Sequence, residues 1–272
     1  MRKWLSALLT VMLLLSAVIL PVSAEEDNTG EWLFELPQME GCEDGALVDI
    51  EPIIPEELTK TVFGPDDRIV VSNPAQYPYS AIAYMTGRFE CGCYIDCSGF
   101  LAGEDTVFTA AHCLVCSEHG KWAKTLTFYF GYKNDKNYLY KYNGKWYAYA
   151  GNLFPNGYVI DYDYAVVKLE ANISAKTGSF GIKWYTPDST LSNTYTYTAG
   201  YRDRVLRYDQ GYVTPMSDNH YKHWMDWLPG NSGGPLFTSD NYAIGINIAY
   251  NSSYNIGYRM TSDVRYAYDY VK

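Results

Sequence analysis

Positive charge is scarce in this sequence. Lysine and arginine total 21 against 31 aspartates and glutamates, a net charge of −10. That balance offers no electrostatic reason to expect nucleic-acid or anionic-membrane binding. Histidine is scarcer still: the chain has His112, His119, His220 and His223 and no other. Beyond Leu20 no apolar run is long enough to cross a bilayer. Long stretches of helical periodicity are also lacking, which argues against a helix-rich α/β architecture. What is abundant is tyrosine, 28 residues of it, along with threonine, valine, isoleucine and frequent turn signals.

The acidity is confined to one stretch. Arg2 and Lys3 precede an apolar run from Trp4 to Leu20, followed by small residues up to Ala24. This is the pattern of a secretory signal peptide cleaved after Ala24. The run falls short of the ~20 residues that an uncleaved spanning anchor needs. From Glu25 to Lys60 there are twelve acidic residues and one basic one, so the body from Thr61 onward is one negative charge from neutral. An acidic stretch alone reads as a solvated tail; between a signal peptide and a strand-rich body it reads as a pro-segment, residues 25–60. Pro52, Pro55 and Pro65 interrupt regular structure near its end, and the expected junction is Lys60-Thr61.

The body, residues 61–272, reads as all-β. Asn143-Gly144, between Tyr138–Tyr142 and Lys145–Tyr149, suits a two-residue hairpin turn. Tyr195–Thr198, Tyr242–Ala249 and Asn255–Met260 are further strands. Thr261 to Lys272 is expected to close the chain as a short helix with Ser262 as its N-cap. The length suffices for two barrel-like halves, about 61–175 and 176–272. Most of the aromatic residues are expected in the core and in cross-strand pairs.

Three stretches carry chemistry. Gly230-Asn231-Ser232-Gly233-Gly234-Pro235 surrounds a serine with glycines, which lets other backbone approach its hydroxyl. Thr109-Ala110-Ala111-His112-Cys113 places a histidine, the usual general base, after small residues. Asp161-Tyr162-Asp163-Tyr164-Ala165 enters a strand-like apolar run with an acid. The order His112, Asp163, Ser232 is that of a chymotrypsin-type triad. An α/β-hydrolase needs its histidine after the serine, and all four histidines here precede Ser232. Asp161 is the rival for the acid role. His119, His220 and His223 read as ordinary packed or surface residues.

Six cysteines lie outside the signal: Cys42, Cys91, Cys93, Cys97, Cys113 and Cys116. In an exported chain an even count reads first as disulfides. A Cys97–Cys113 bridge would pin the histidine loop. Cys91 or Cys93 would pair with Cys116, leaving Cys42 to tether the pro-segment to the other. A zinc site drawn from Cys91, Cys93, Cys97, Cys113 and Cys116 is the competing reading, and no metal or cofactor is expected.

Together the three catalytic blocks resemble those of chymotrypsin-clan serine proteases. Gly64–Arg68, Gln76–Ile82 and Tyr254–Thr261 resemble the bacterial glutamyl endopeptidase branch. The resemblance implies two perpendicular six-stranded antiparallel β-barrels with the site between them. It also implies a secreted serine endopeptidase, working as a monomer on protein or peptide substrates and held by its own pro-segment before activation. Backbone N–H groups of Gly230 and Ser232 would form the oxyanion hole. That branch carries a substrate-binding histidine where this chain has Asn247, and a threonine where it has Trp227. Asp226, Trp227, Asn247, Ile248, Ala249 and Tyr250 are therefore the candidate pocket residues, with the preferred substrate side chain left open between glutamate and lysine or arginine. A secreted binding module with catalysis lost is the alternative function, and an esterase a further one.

Overall fold

The computed structural model describes residues 31–35, 62–116, 118–150, 160–192 and 194–272. The strands in chain order begin with β1 (Glu31–Glu35), β2 (Ile69–Val70), β3 (Ile82–Phe89), β4 (Tyr94–Ala102) and β5 (Thr106–Thr109). Next come β6 (Ala123–Phe130), β7 (Tyr140–Ala150) and β8 (Ala165–Leu169), then helix α1 (Ser174–Thr177), β9 (Gly181–Ile182) and α2 (Asp188–Leu191). The chain ends with β10 (Tyr195–Arg202), β11 (Val205–Pro215), β12 (His220–His223), β13 (Pro235–Thr238), β14 (Tyr242–Tyr250), β15 (Asn255–Arg259) and α3 (Ser262–Val271).

Strands β7-β6-β3-β4-β5-β8 form one antiparallel sheet that closes through β7–β8 pairing. Strands β10-β13-β14-β15-β12-β11 form a second, closed through β10–β11. The two closed six-stranded barrels are those expected, and closure leaves few free sheet edges. β2 joins the second barrel through β11, although it precedes the first barrel in the chain. β1, from the acidic stretch, adds antiparallel to β7 with Glu31 opposite Ala150 and Glu35 opposite Trp146. The signal peptide and the Lys60-Thr61 junction lie outside the described residues. Among the described residues no helix is long and apolar enough to cross a membrane.

Two local readings change. Asn143-Gly144 is not a hairpin turn but the middle of β7, which is continuous. Residues 140–143 pair with β6, and from Gly144 the strand pairs with β8, across a register shift at Gly144/Trp146. Barrel closure therefore uses the glycine as the point where one long strand changes partner, overriding its turn preference. The C-terminal helix is present, but Thr261 caps it, its hydroxyl oxygen accepting from Val264 N.

Aromatic residues fill the barrels and the seam between them. Phe100 and Phe108 face each other across β4 and β5 with ring centres 5.5 Å apart. Tyr84 of the first barrel meets Tyr201 of the second at 5.7 Å, and Tyr164 meets Tyr258 at 4.9 Å. All four tyrosines are buried, so the seam between the barrels is packed with aromatic rings. Helix α3 lies on the first barrel, Tyr268 stacking on Phe108.

Candidate active site

His112 sits on a single 3₁₀ turn, Ala111–Leu114, directly after β5. Ala110 and Ala111 are fully buried there, so the small residues before the histidine let the turn lie flat against the barrel. Asp163 follows another 3₁₀ turn, Ile160–Tyr162, and enters β8. Its carboxylate is completely buried and engages His112 twice. Oδ1 accepts the His112 backbone N–H at 2.9 Å, and Oδ2 lies 2.8 Å from Nδ1. This fixes the ring orientation and places a proton on Nδ1, facing the carboxylate. Burial opposes the imidazolium, but the Asp163 carboxylate outweighs it and holds the His112 pKa well above its ordinary value.

Asp161, the rival acid, faces elsewhere. Its exposed carboxylate lies 3.6 Å from Nδ1 of His220, whose Nε2 donates to Ile160 O at 3.2 Å. One acid thus serves each histidine, and Asp163 serves His112.

Ser232 lies in the loop between β12 and β13, and the glycine after it packs against the end of β5 that leads to His112. Gly233 has φ +82, and a Cβ there would sit 2.1 Å from Ser98 O and 2.2 Å from Thr109 Oγ1. The residue after the serine is therefore pressed against the strand end that leads to His112, an approach only glycine permits. Ser98, which the sequence did not single out, ties the parts together. Its N–H donates to Ser232 O, its hydroxyl donates to Gly230 O, and the same hydroxyl accepts from Tyr201 N, each at 2.8 Å.

The oxyanion-hole candidates are held through their neighbours' carbonyls. Arg202 Nη1 donates to Pro229 O at 3.0 Å, and Gly234 N donates to Asn231 O at 2.9 Å. In a trans peptide the N–H points opposite the carbonyl, so these bonds orient the N–H groups of Gly230 and Ser232. Among the described residues neither N–H has an acceptor.

The pocket readings are revised. Asp226 is buried, and its two oxygens accept from Phe63 N at 2.8 Å and Asp67 N at 3.2 Å. The acid holds the body's own N-terminal segment and is not presented to a basic substrate side chain. Arg68 of that segment also reaches the Ser232 loop, donating to Asn231 Oδ1 at 2.9 Å. Asn247 is fully buried, its Nδ2 donating to the Thr198 hydroxyl and its Oδ1 accepting from His223 Nε2. Both ends of the amide are spent inside the second barrel, so it does not reach for a substrate carboxylate. Its backbone instead holds the Ser232 loop, accepting from Gly233 N and donating to Gly234 O. Ile248 is turned into the core, while Ala249 and Tyr250 are half-exposed. Trp227 is buried with its ring 5.0 Å from that of Tyr250. Arg68, Ser98, Thr198 and His223 lie too far along the chain from the residues they support for any local pattern to reveal them.

His223 gives a testable consequence. Burial, partly offset by its hydrogen bond to Asn247, pushes its pKa down to about 4. An unfolded histidine titrates near 6.5, so between these values the unfolded chain binds more protons. The associated stability is fully present above about pH 6.5 and is lost as pH falls toward 4, on the order of 3 kcal/mol. Urea midpoints measured across that range should fall with acidification, and fall less in His223→Gln. Identical slopes would show that His223 is not the group responsible.

Cys97 and Cys113 are both buried, Cys97 on β4 and Cys113 directly after His112 on its 3₁₀ turn. Among the described residues no cysteines are bonded to one another, and Cys42 lies outside those residues.

Comparison with known proteins agrees with the geometry. The trypsin family model matches residues 69–269. A glutamyl endopeptidase of Bacillus licheniformis is 30% identical over 228 residues, covering 75% of this chain and 67% of that protein. A protein named extracellular metalloprotease from Bacillus subtilis is 28% identical over 236 residues, covering 81% of this chain and 72% of its own. The structure of a Glu endopeptidase in complex with MPD superposes with a TM-score of 0.68 at 25% identity, covering 78% of this chain and 99% of the other. With both barrels closed and the family model spanning them, this chain belongs to the trypsin family and is a chymotrypsin-clan serine endopeptidase.

Proposed function

We propose that the chain is a secreted endopeptidase that cleaves through His112, Asp163 and Ser232 by way of an acyl-enzyme. The observation that carries this is the doubly hydrogen-bonded His112–Asp163 pair, with Gly233 wedged against Thr109 beside it. Nε2 of His112 takes the Ser232 proton as the hydroxyl attacks the peptide carbonyl. The N–H groups of Gly230 and Ser232 receive the developing oxyanion, worth about 3–4 kcal/mol per donor in comparable sites. Collapse delivers the proton to the leaving amine, and water then releases the acyl group by the same route. The signal peptide implies export, and β1 on β7 supports the acidic stretch as a pro-segment with a built contact to the body. In the exported protein Cys97 and Cys113 form a bridge that holds the His112 turn.

Trp227, Ala249 and Tyr250 are the remaining pocket-wall candidates. None of the three carries an acidic group, and the Asp226 carboxylate is engaged by Phe63 N and Asp67 N, which disfavours a basic substrate side chain. The test is a peptide library offered to protein beginning at Thr61, followed by mapping of a sulfonyl fluoride label. Cleavage with the label on Ser232 is expected, with lysine and arginine disfavoured before the scissile bond. Labelling elsewhere would overturn the mechanism, and cleavage after lysine or arginine would overturn the pocket assignment.

A further inference from the structure

Three cysteines and one histidine gather away from the triad and have no part in its mechanism. Cys91 and Cys93 lie in the turn between β3 and β4, whereas Cys116 and His119 lie in the loop between the His112 turn and β6. One ligand atom from each, three sulfurs and a ring nitrogen, all lie within 4.8 Å of one another. Nδ1 of His119 is 3.5 Å from Cys93 Sγ and 3.5 Å from Cys116 Sγ. For tetrahedral zinc, with Zn–S about 2.3 Å and Zn–N about 2.0–2.1 Å, the S···N edge is about 3.6 Å and the S···S edge about 3.8 Å. The two nitrogen–sulfur distances are the edges of such a tetrahedron.

The backbone presents these groups in matched turns. In the first, Gly92 N donates to Phe89 O and Phe89 N to Cys93 O, with Gly92 at φ +90. In the second, Gly120 N donates to Cys116 O and Cys116 N to Lys121 O, with Gly120 at φ +60. The turns are joined where Glu90 N donates to Trp122 O. Each turn contributes two ligands at close spacing, C-x-C from one and C-x-x-H from the other.

We propose that Cys91, Cys93, Cys116 and His119 bind one structural zinc ion. Three sulfurs cannot pair off among themselves. A disulfide would use two and leave a thiol and an imidazole converging on it without purpose, while zinc uses all four groups. Four protein ligands leave no position for water or substrate, so the site is structural and not catalytic. On binding, the three thiols give up their protons to solvent and coordinate as thiolates. The ion would fasten the β3–β4 turn to the loop that leaves His112, bracing the general base from outside the barrel. This set differs from the one read in the sequence: Cys97 and Cys113 are drawn off to the His112 turn, and His119 takes their place.

The test is zinc content of the full exported chain, purified from the medium without a histidine tag or chelator. Equimolar zinc is expected in the wild type and in His119→Cys, and loss of zinc in His119→Ala. The His119 side chain is 46% exposed, so His119→Ala should still fold, and circular dichroism checks this. Cobalt exchanged into the wild type should show the visible bands of a tetrahedral thiolate site. Chelator should lower the Tm of the wild type and leave that of His119→Ala unchanged. Zinc-free protein with a disulfide from Cys91, Cys93 or Cys116, whether to one another or to Cys42, would overturn the proposal. So would zinc retained in His119→Ala.

Discussion

Ser232→Ala is expected to lower kcat on a peptide substrate by about 10⁶-fold, the loss seen when the nucleophile of a comparable triad is removed. The fold should survive, because the contacts that hold the loop run through backbone: Ser232 O accepts from Ser98 N, and Gly233 N and Gly234 O pair with Asn247. Adding His112→Ala to Ser232→Ala should cost almost nothing more, since the two groups act as one unit. Progress curves with a fluorogenic peptide and a folding control by circular dichroism make the measurement. Activity of the single mutant within tenfold of wild type would remove Ser232 from the mechanism and return weight to a binding module on a protease fold.

The second large effect separates two aspartates only two residues apart. Asp163→Asn should lower kcat about 10⁴-fold, because an amide opposite Nδ1 favours the wrong imidazole tautomer. It should also move the rising limb of the pH–rate profile to lower pH, since the carboxylate holds the His112 pKa up against its burial. Asp161→Asn should leave both the rate and the profile near wild type, because that exposed carboxylate faces His220. Equal losses in the two variants would mean that the 2.8 Å pairing of His112 with Asp163 does not describe the working enzyme.

The structure also explains why the pocket was the least legible part of the site. In the chain, Asn247 stands where the glutamyl endopeptidase branch carries a substrate-binding histidine, which invites the same role. Its side chain is instead closed off by Thr198 of β10 and His223 of β12, each two strands away in the second barrel. Asp226 lies close before the serine, yet it binds backbone more than 150 residues earlier. A residue's type states what it can bond to, but the partner it meets depends on how the barrel closes.

The sequence by itself determined the all-β class and the helix at the C-terminus, and it pointed to His112, Asp163 and Ser232 as the candidate triad. Each depends on local chemistry: strand-forming residues between turn signals, glycines around Ser232, small residues before His112, and the order of histidine, acid and serine along the chain. Tertiary structure separated Asp163, already favoured by its spacing before Ala165, from Asp161: both precede the same strand, but one meets His112 and the other His220. It made Asn143-Gly144 part of a continuous β7, since closing the first barrel requires one strand to pair in succession with β6 and β8. It also sorted the cysteines, burying Cys97 and Cys113 beside His112 while gathering Cys91, Cys93 and Cys116 around His119. The physical reason is common to all three. Local sequence limits which conformations and bonds are available, whereas long-range pairing selects among them by burying apolar surface and satisfying the polar groups enclosed with it.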